Sequence, residues 1–110
     1  AKLLKEKFKH IDVLEWGSDY SFDVIINATS VGLKNNDKID LNIKKFGEKK
    51  FFYDVIYNPK ETQFLKDAKD EKHTIENGRM MFIYQAHQAF TLWHKIMPKI
   101  NQETIKLLDI

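Results

Sequence analysis

Cysteine is absent from this chain, which excludes a disulfide scaffold and any metal site built on thiolates. Long apolar runs are missing too, because no stretch approaches the roughly 20 residues that a helix needs to span a bilayer. A glycine-rich phosphate loop is also absent. The formal net charge is only +2, with lysines scattered among acidic residues, which predicts a solvated surface and no nucleic-acid interface.

The composition is that of one soluble globular domain, with 43% hydrophobic and 31% charged residues in a chain of 110. A domain of this size buries roughly two thirds of the surface of its unfolded form, which suffices for one core. No signal peptide is visible at the start, and the chain opens on Ala1 without a methionine. We therefore expect a trimmed or partial chain of cytoplasmic origin, with no membrane anchor.

Strand and helix patterns alternate along the chain. Strands are predicted over four segments: 11–14, 23–27, 51–57 and 73–76. Helices are predicted over four segments: 1–9, 58–70, 80–95 and a last one from residue 101. The β-branched run 23–27 is typical of a strand buried on both faces. This order predicts an α/β fold in which helices flank a parallel sheet.

The segment after the aromatic strand carries the signals of a helix start. Asn58 can cap the helix, Pro59 suits its first position, and Glu61 can reach back to the cap amide. The buried side of this helix is expected to carry three residues: Phe64, Leu65 and Ala68.

Two loops follow predicted strands at their carboxyl ends, where open parallel sheets bind ligands. In the first, 28–32, hydroxyls and free amides can bond a ribose, a phosphate or a nicotinamide, and Gly32 permits tight backbone passage. An ordinary turn with local side-chain hydrogen bonds is the alternative. In the second, Val55 to Asn58, the phenol of Tyr57 is expected near the same cleft, or else half-buried as a strand aromatic.

The long helix carries an amide within an apolar stripe, since Gln85 shares that stripe with Met81 and Leu92. A buried amide without partners costs about 1–3 kcal/mol. Gln85 is therefore expected either to bond a polar neighbour or to face a cavity whose polyhydroxylated ligand supplies partners. Gly78 is expected to leave its amide open for a cofactor ring, with a plain helix-entry glycine as the alternative.

The histidines do not indicate a metal site. His87 and His94 lie seven positions apart on one helix face, and no third ligand accompanies them. Paired carboxylates and a Ser/His/Asp order are not recognisable either. We therefore expect neither a metal ion nor a catalytic residue in this chain.

Four motifs, in this order and spacing, resemble those of the shikimate dehydrogenases. They are Asn-Ala-Thr-Ser-x-Gly at 27–32, Asp-x-x-Tyr-x-Pro at 54–59, Asn-Gly-x-x-Met at 77–81 and Tyr-Gln-Ala at 84–86. The resemblance implies a partial, Rossmann-like NADP-binding domain over 1–95 and a C-terminal helix over 96–110. That helix would pack on a substrate domain that this chain does not contain.

The resemblance implies an NADP-dependent oxidoreductase that reversibly reduces 3-dehydroshikimate to shikimate in aromatic amino-acid (chorismate) biosynthesis. It assigns cofactor contacts to four residues: Thr29, Ser30, Val55 and Gly78. It assigns substrate contacts to two: Tyr57 and Gln85. The lysine that the family uses in catalysis and its phosphate loop are not in this chain, so we expect the chain alone to be inactive.

One departure from the family pattern is Met80, which stands where a second glycine is common. Two other functions stay open: a quinate/shikimate dehydrogenase paralogue, using NAD, and a non-catalytic Rossmann-like binding module. The strand 23–27 would normally pair with central strands that this chain lacks. An open strand edge and exposed apolar helices predict self-association.

Overall fold

Three short strands, four α-helices and a 3₁₀ turn make up the computed structural model, which describes residues 1–108. In chain order the elements are α1 (Lys2–Lys7), β1 (Val24–Asn27), the 3₁₀ turn (Ile43–Phe46), β2 (Phe51–Asp54), α2 (Gln63–Asp70), β3 (Thr74–Glu76), α3 (Arg79–His94) and α4 (Gln102–Leu107). The predicted α/β fold, a Rossmann-like parallel sheet with flanking helices, is confirmed. Positions 109 and 110 of the predicted C-terminal segment lie outside the described residues.

The sheet has the order β1-β2-β3, and both pairs of neighbours run parallel. The register places Asn27 opposite Asp54, so β1 and β2 end side by side. Because parallel strands end at the same edge of a sheet, the loops after β1 and β2 become neighbours there. The topology therefore brings the two predicted site loops together.

One face of the sheet forms the core together with α2. Phe52 is fully buried, and its ring centroid lies 5.4 Å from that of Phe64. Leu65 and Ala68 are buried on the same side of α2, because residues three and four apart share one helix face. Ile43 of the 3₁₀ turn completes this cluster. The predicted buried side of α2 is confirmed.

The opposite face of the sheet is open. Side chains alternate between the two faces along a strand, so Val24 and Ile26 point away from the core that contains Ile25. Val24 is 50% exposed and Ile26 is 57% exposed. The expectation that this strand is buried on both faces is therefore wrong, because α2 covers only one of them.

Helix α2 begins later than predicted. Its N-cap is Thr62, whose hydroxyl accepts the amide of Leu65 at 3.4 Å. Asn58 and Pro59 lie in the preceding turn, joined by a cis peptide bond. The expectation that Asn58 caps the helix is therefore wrong. Thr62 is favoured as the cap because the carboxylate of Asp54 holds its hydroxyl at 2.6 Å.

Residues 11–14 form no strand, although their alternation of apolar and polar side chains predicted one. Val13 and Leu14 are 46% and 53% exposed. The alternation was misleading because a strand also needs a neighbouring backbone for its hydrogen bonds, and β1 pairs with β2 alone among the described strands.

Helix α3 confirms the predicted long helix and ends where Lys95 adopts a left-handed conformation with φ of 58°. The last helix, α4, begins where it was predicted, and Asn101 caps it by accepting the amide of Thr104 at 2.8 Å. The apolar surface of α3 is largely open, since Trp93 is 78% exposed. Within residues 1–108, no helix has both the length and the apolar character needed to cross a membrane.

Candidate functional site

A cavity of about 510 Å³ lies where β1 and β2 end. It is lined by residues of the two following loops: Thr29, Ser30, Leu33, Val55, Ile56, Tyr57 and Asn58. Four of the predicted site residues are therefore brought together, namely Thr29, Ser30, Val55 and Tyr57. None of the lining side chains carries a formal charge, so the cavity suits an aromatic ring or an uncharged polar group.

The loop after β1 is held by its own side chains. The hydroxyl of Thr29 donates to Asn27 Oδ1 at 2.7 Å and accepts the amide of Val31 at 3.2 Å. The amide of Thr29 donates to the same Asn27 oxygen, and that of Gly32 to a carboxylate in the following turn. The expectation of free amides is wrong at these three positions, because local acceptors use them. Ser30 is exposed, and its hydroxyl stays accessible to a ligand.

Gly32 lets the two loops approach each other closely. Its φ is +117°, a conformation that residues with a β-carbon rarely adopt. A β-carbon there would lie 3.2 Å from Thr62 Cγ2 and 3.3 Å from Ile56 Cδ1. The predicted tight backbone passage at this glycine is confirmed.

Beneath the cavity, a buried hydrogen-bond network joins the strand ends. Asp54 is 0% exposed, and its Oδ1 accepts from Asn27 Nδ2 at 3.2 Å and from the amide of Ile56 at 3.0 Å. Its other oxygen accepts the hydroxyl of Thr62 at 2.6 Å. Asn27 also donates to the carbonyl of Val31 at 3.0 Å. Sequence reasoning missed this network, although polar residues ending two apolar strands were its visible signal.

Helix α3 reaches the cavity through an aromatic stack. The ring of Tyr57 lies 4.5 Å from that of Phe82, with an interplanar angle of 26°. Tyr57 is half-buried, so its ring is anchored by the stack while part of the side chain stays accessible. Tyr57 thus lines the cavity as expected, and it is half-buried, but it is not a strand aromatic because β2 ends at Asp54.

Gly78 does not leave its amide open, contrary to expectation. The amide donates to the carbonyl of Ile56 at 3.1 Å. A β-carbon on residue 78 would overlap the carbonyl group of Val55. Glycine is needed here because the start of α3 presses against the end of the β2 loop. Any contact of Gly78 with a ligand must therefore use other backbone atoms.

Gln85 is exposed, and so are Met81 and Leu92 of the same stripe, at 37% and 66%. The expectation that this stripe is an apolar wall around a buried amide is therefore wrong within the described residues. The apolar stripe predicted burial of this side of α3, but Ile83 is the one residue of the helix that is buried. Gln85 lies three positions after Phe82, so the two side chains are neighbours on α3, but Gln85 is not among the residues that line the cavity.

Tyr53 is not among the residues that line the cavity. Burial raises the pKa of the Tyr53 phenol, and the negative charge of Glu76 on the neighbouring strand raises it further. Tyr53 points to the open face of the sheet, since it alternates with Asp54. Across residues 1–108, no group of His, Asp and Glu side chains is arranged to hold a metal ion.

A second cavity, of about 410 Å³, opens on the outer side of β1. Trp16 and Tyr20 contribute aromatic surface to it, beside Ile25 and Ile26 of the strand. The indole of Trp16 donates to the carbonyl of Asp40 at 2.9 Å, which keeps the ring at this position. Sequence reasoning did not single out these two aromatic residues.

No protein-family model matches the chain. The chain is 56% identical to the shikimate dehydrogenase (NADP(+)) of Pelagibacter ubique over 107 residues, which cover 97% of the chain and 40% of that protein. A shikimate dehydrogenase solved in complex with NADP+ is 40% identical, with a TM-score of 0.65, over 76% of this chain and 29% of that one.

A ligand-free 5-ketofructose reductase of Gluconobacter sp. strain CHM43 also has this architecture. It is 31% identical, with a TM-score of 0.62, over 76% of this chain and 32% of that one. The chain thus spans about 40% of the curated relative and a smaller share of the two solved structures.

Proposed function

Because the chain belongs to the shikimate dehydrogenase family, we propose that it forms the second half of an NADP-binding domain in an enzyme that reversibly reduces 3-dehydroshikimate to shikimate. The observation that carries this proposal is the cavity shared by the loops after β1 and β2, where Thr29, Ser30, Val55 and Tyr57 meet. In parallel α/β sheets, this edge is where ligands bind.

The lining of the cavity fits the nicotinamide end of NADP. Val55 and Leu33 offer apolar surface to an aromatic ring, and the exposed hydroxyl of Ser30 can bond an amide group. When bound, the cofactor supplies the hydride that is exchanged with the substrate carbon. Thr29 lines the cavity, and its hydroxyl holds the loop through hydrogen bonds to Asn27 and Val31. The backbone of Gly78 lies against Val55, another residue of the lining.

The substrate is proposed to lie beside this ring, against Tyr57 and Gln85. The phenol of Tyr57 can donate and accept, and the stack on Phe82 fixes its ring. Gln85 is exposed one turn along α3, so its amide is available to a hydroxyl. The lysine that the family uses in catalysis and its phosphate loop are not in this chain, so we propose that the chain alone is inactive.

The remaining length of the relatives supports a two-part arrangement. We propose that 1–95 completes the cofactor domain, and that 96–110 packs on a separate substrate domain. Ile96, Met97 and Leu107 are 63%, 71% and 80% exposed, which supports a covering partner for this segment. The reaction is proposed to take place in the cytoplasm, where biosynthetic reductions draw on NADPH.

Self-association of the isolated chain is part of the same proposal. The outer edge of β1 has no neighbouring strand within the described residues, and Val24 and Ile26 beside it are half-exposed or more. Unpaired edges and apolar patches favour association with a second copy. The cavity beside Trp16 adds apolar surface at the same edge.

Reduction of another polyhydroxylated ketone is the second candidate function. It is supported by the likeness to 5-ketofructose reductase, which reaches a TM-score of 0.62. The same cavity would serve both reactions, because both need a hydride donor beside an array of substrate hydroxyls. A quinate/shikimate paralogue that uses NAD and a non-catalytic binding module are further candidates.

A chimaera tests the proposal directly. The matched 107 residues of the Pelagibacter ubique enzyme would be replaced by this chain. We expect the purified chimaera to reduce NADP+ with shikimate, and the isolated chain to show no turnover above a mock preparation. Faster NADPH oxidation with 5-ketofructose than with 3-dehydroshikimate would favour the second candidate. NADP binding without turnover of any of these substrates, quinate included, would favour the binding module.

A further inference from the structure

We propose that Asp54 is a positioning residue whose carboxylate holds the two cavity loops in one fixed arrangement for ligand binding. Its three hydrogen-bond donors come from the end of β1, from the loop after β2 and from the start of α2. The proposal rests on the proposed function for its kinetic test. A second test uses the chain itself and needs no activity.

The carboxylate sets the direction of the hydrogen bonds on the β1 side. Asp54 Oδ1 accepts from the amide of Ile56 and from Asn27 Nδ2, so the NH₂ group of Asn27 is turned toward Asp54. The amide oxygen of Asn27 then faces Thr29, whose amide and hydroxyl both donate to it. If Asn27 were turned the other way, its NH₂ group would face the amide and the hydroxyl of Thr29, which are themselves donors. Asp54, together with the Val31 carbonyl that the same NH₂ group meets at 3.0 Å, thereby supports the conformation of a loop that the carboxylate does not touch.

The same carboxylate also fixes the β2 side. Its bond to the amide of Ile56 holds the backbone immediately before Tyr57. Its bond to Thr62 orients the hydroxyl that caps α2. The loop with Ser30 and the loop with Tyr57 therefore share one buried anchor, and the space between them depends on it.

Replacing Asp54 by Asn keeps the shape of the side chain but adds a donor. Whichever way the new amide turns, its NH₂ group faces either Thr62 or the donors Asn27 and Ile56. Thr62 can rotate its hydroxyl and accept, so the chain has a route to folding. The direction imposed on Asn27 is then weakened, and with it the order of the Thr29 loop.

The kinetic test compares three variants of the chimaera. Asp54→Asn is expected to raise the KM values for both NADP+ and shikimate about tenfold, because both loops lose their common anchor. Ala68→Gly, in the core of α2, should lower the folded fraction and leave both KM values unchanged. Asp70→Asn replaces an exposed aspartate and should change neither the folded fraction nor the two KM values. Unchanged KM values in Asp54→Asn would refute the positioning role.

The second test measures amide hydrogen exchange in the 110-residue chain. Asp54→Asn should speed exchange at Thr29 and Val31 at least about fivefold relative to Thr74, which begins β3 and whose amide donates to the carbonyl of Lys50. Ala68→Gly should speed exchange at all three amides alike. If Asp54→Asn does not fold, Thr62→Val removes one donor of the anchor and is expected to act in the same direction.

The two tests separate this proposal from the proposed function. A chimaera without turnover, together with faster exchange at Thr29 in Asp54→Asn, would refute the function and support the anchor. Turnover of shikimate with no selective change at Thr29 would support the function and refute the anchor.

Discussion

Gly78 lies directly against the backbone of Val55, and a β-carbon at position 78 would overlap the Val55 carbonyl group. The amide of Gly78 meets the next carbonyl, that of Ile56, at 3.1 Å. These two contacts set the start of α3 against the end of the β2 loop. They place the long helix beside the cavity, with Phe82 on the ring of Tyr57.

Gly78→Ala is therefore expected to destabilise the chain by about 1–3 kcal/mol, because the backbone of α3 or of the β2 loop must move away. Urea unfolding would measure the change. Gly47→Ala is the control, since Gly47 has φ of 76° and a β-carbon there would meet no other atom within 4 Å. Its cost comes from conformation alone, at roughly 1–3 kcal/mol, because φ of 76° with ψ of −154° is a region that essentially only glycine adopts. A Gly78→Ala chain as stable as the unsubstituted chain would contradict the close approach.

The alkaline stability of the chain should depend on Tyr53. Burial and the charge of Glu76 raise its pKa above the ordinary value of 10.0. Above pH 10 the unfolded chain therefore releases this proton before the folded chain does, and the free energy of unfolding falls as pH rises toward the raised pKa. Below pH 10 the contribution is fully present.

Tyr53→Phe should remove this alkaline loss, and Glu76→Gln should reduce it. Tyrosinate absorbance during titration would show whether the last phenol to ionise disappears in Tyr53→Phe. Tyr20→Phe is the control, because Tyr20 is 50% exposed. If the last ionisation disappears in Tyr20→Phe instead, the raised pKa does not belong to Tyr53.

Gln85→Ala in the chimaera should weaken shikimate binding by about 1–3 kcal/mol, because substrate hydroxyls lose a partner in a desolvated site. NADP binding should change much less. Gln88→Ala, on the same helix and also exposed, should affect neither ligand. Calorimetric titration of each ligand would decide, and equal losses for both ligands in Gln85→Ala would count against a substrate contact.

The isolated chain should sediment as a dimer or larger species, above its own 13.1 kDa. Ile26→Lys places a charge beside the open edge of β1 and should shift the equilibrium toward monomer. Trp93→Lys tests α3 as the alternative interface, and Leu3→Lys, in α1, controls for a general gain in solubility. Sedimentation equilibrium from micromolar to millimolar concentration measures all four proteins. A wild-type monomer throughout this range would end the proposal.

Local patterns predicted what depends on neighbours in the chain. The β-branched run at β1 and the spacing of Phe64, Leu65 and Ala68 in α2 were sufficient for strand and helix, because side-chain period decides these elements. The start of α2 was misplaced because Thr62 acquires its advantage as a cap from Asp54, eight residues away. Burial of β1 was misjudged because a strand pattern cannot tell whether a second layer is present.

The sequence by itself determined the order of the elements from β1 onward, the parallel sheet that follows from that order, and the two loops with the residue types of a site. Only the tertiary structure decided that Gly78 serves a backbone contact, that the amides around Thr29 are already used, and that Asp54 joins Asn27 to Thr62. The physical reason is that a hydrogen bond depends on distance and direction in space. The partners of Asp54 are 27, 2 and 8 positions away along the chain, and only the fold brings them to one carboxylate.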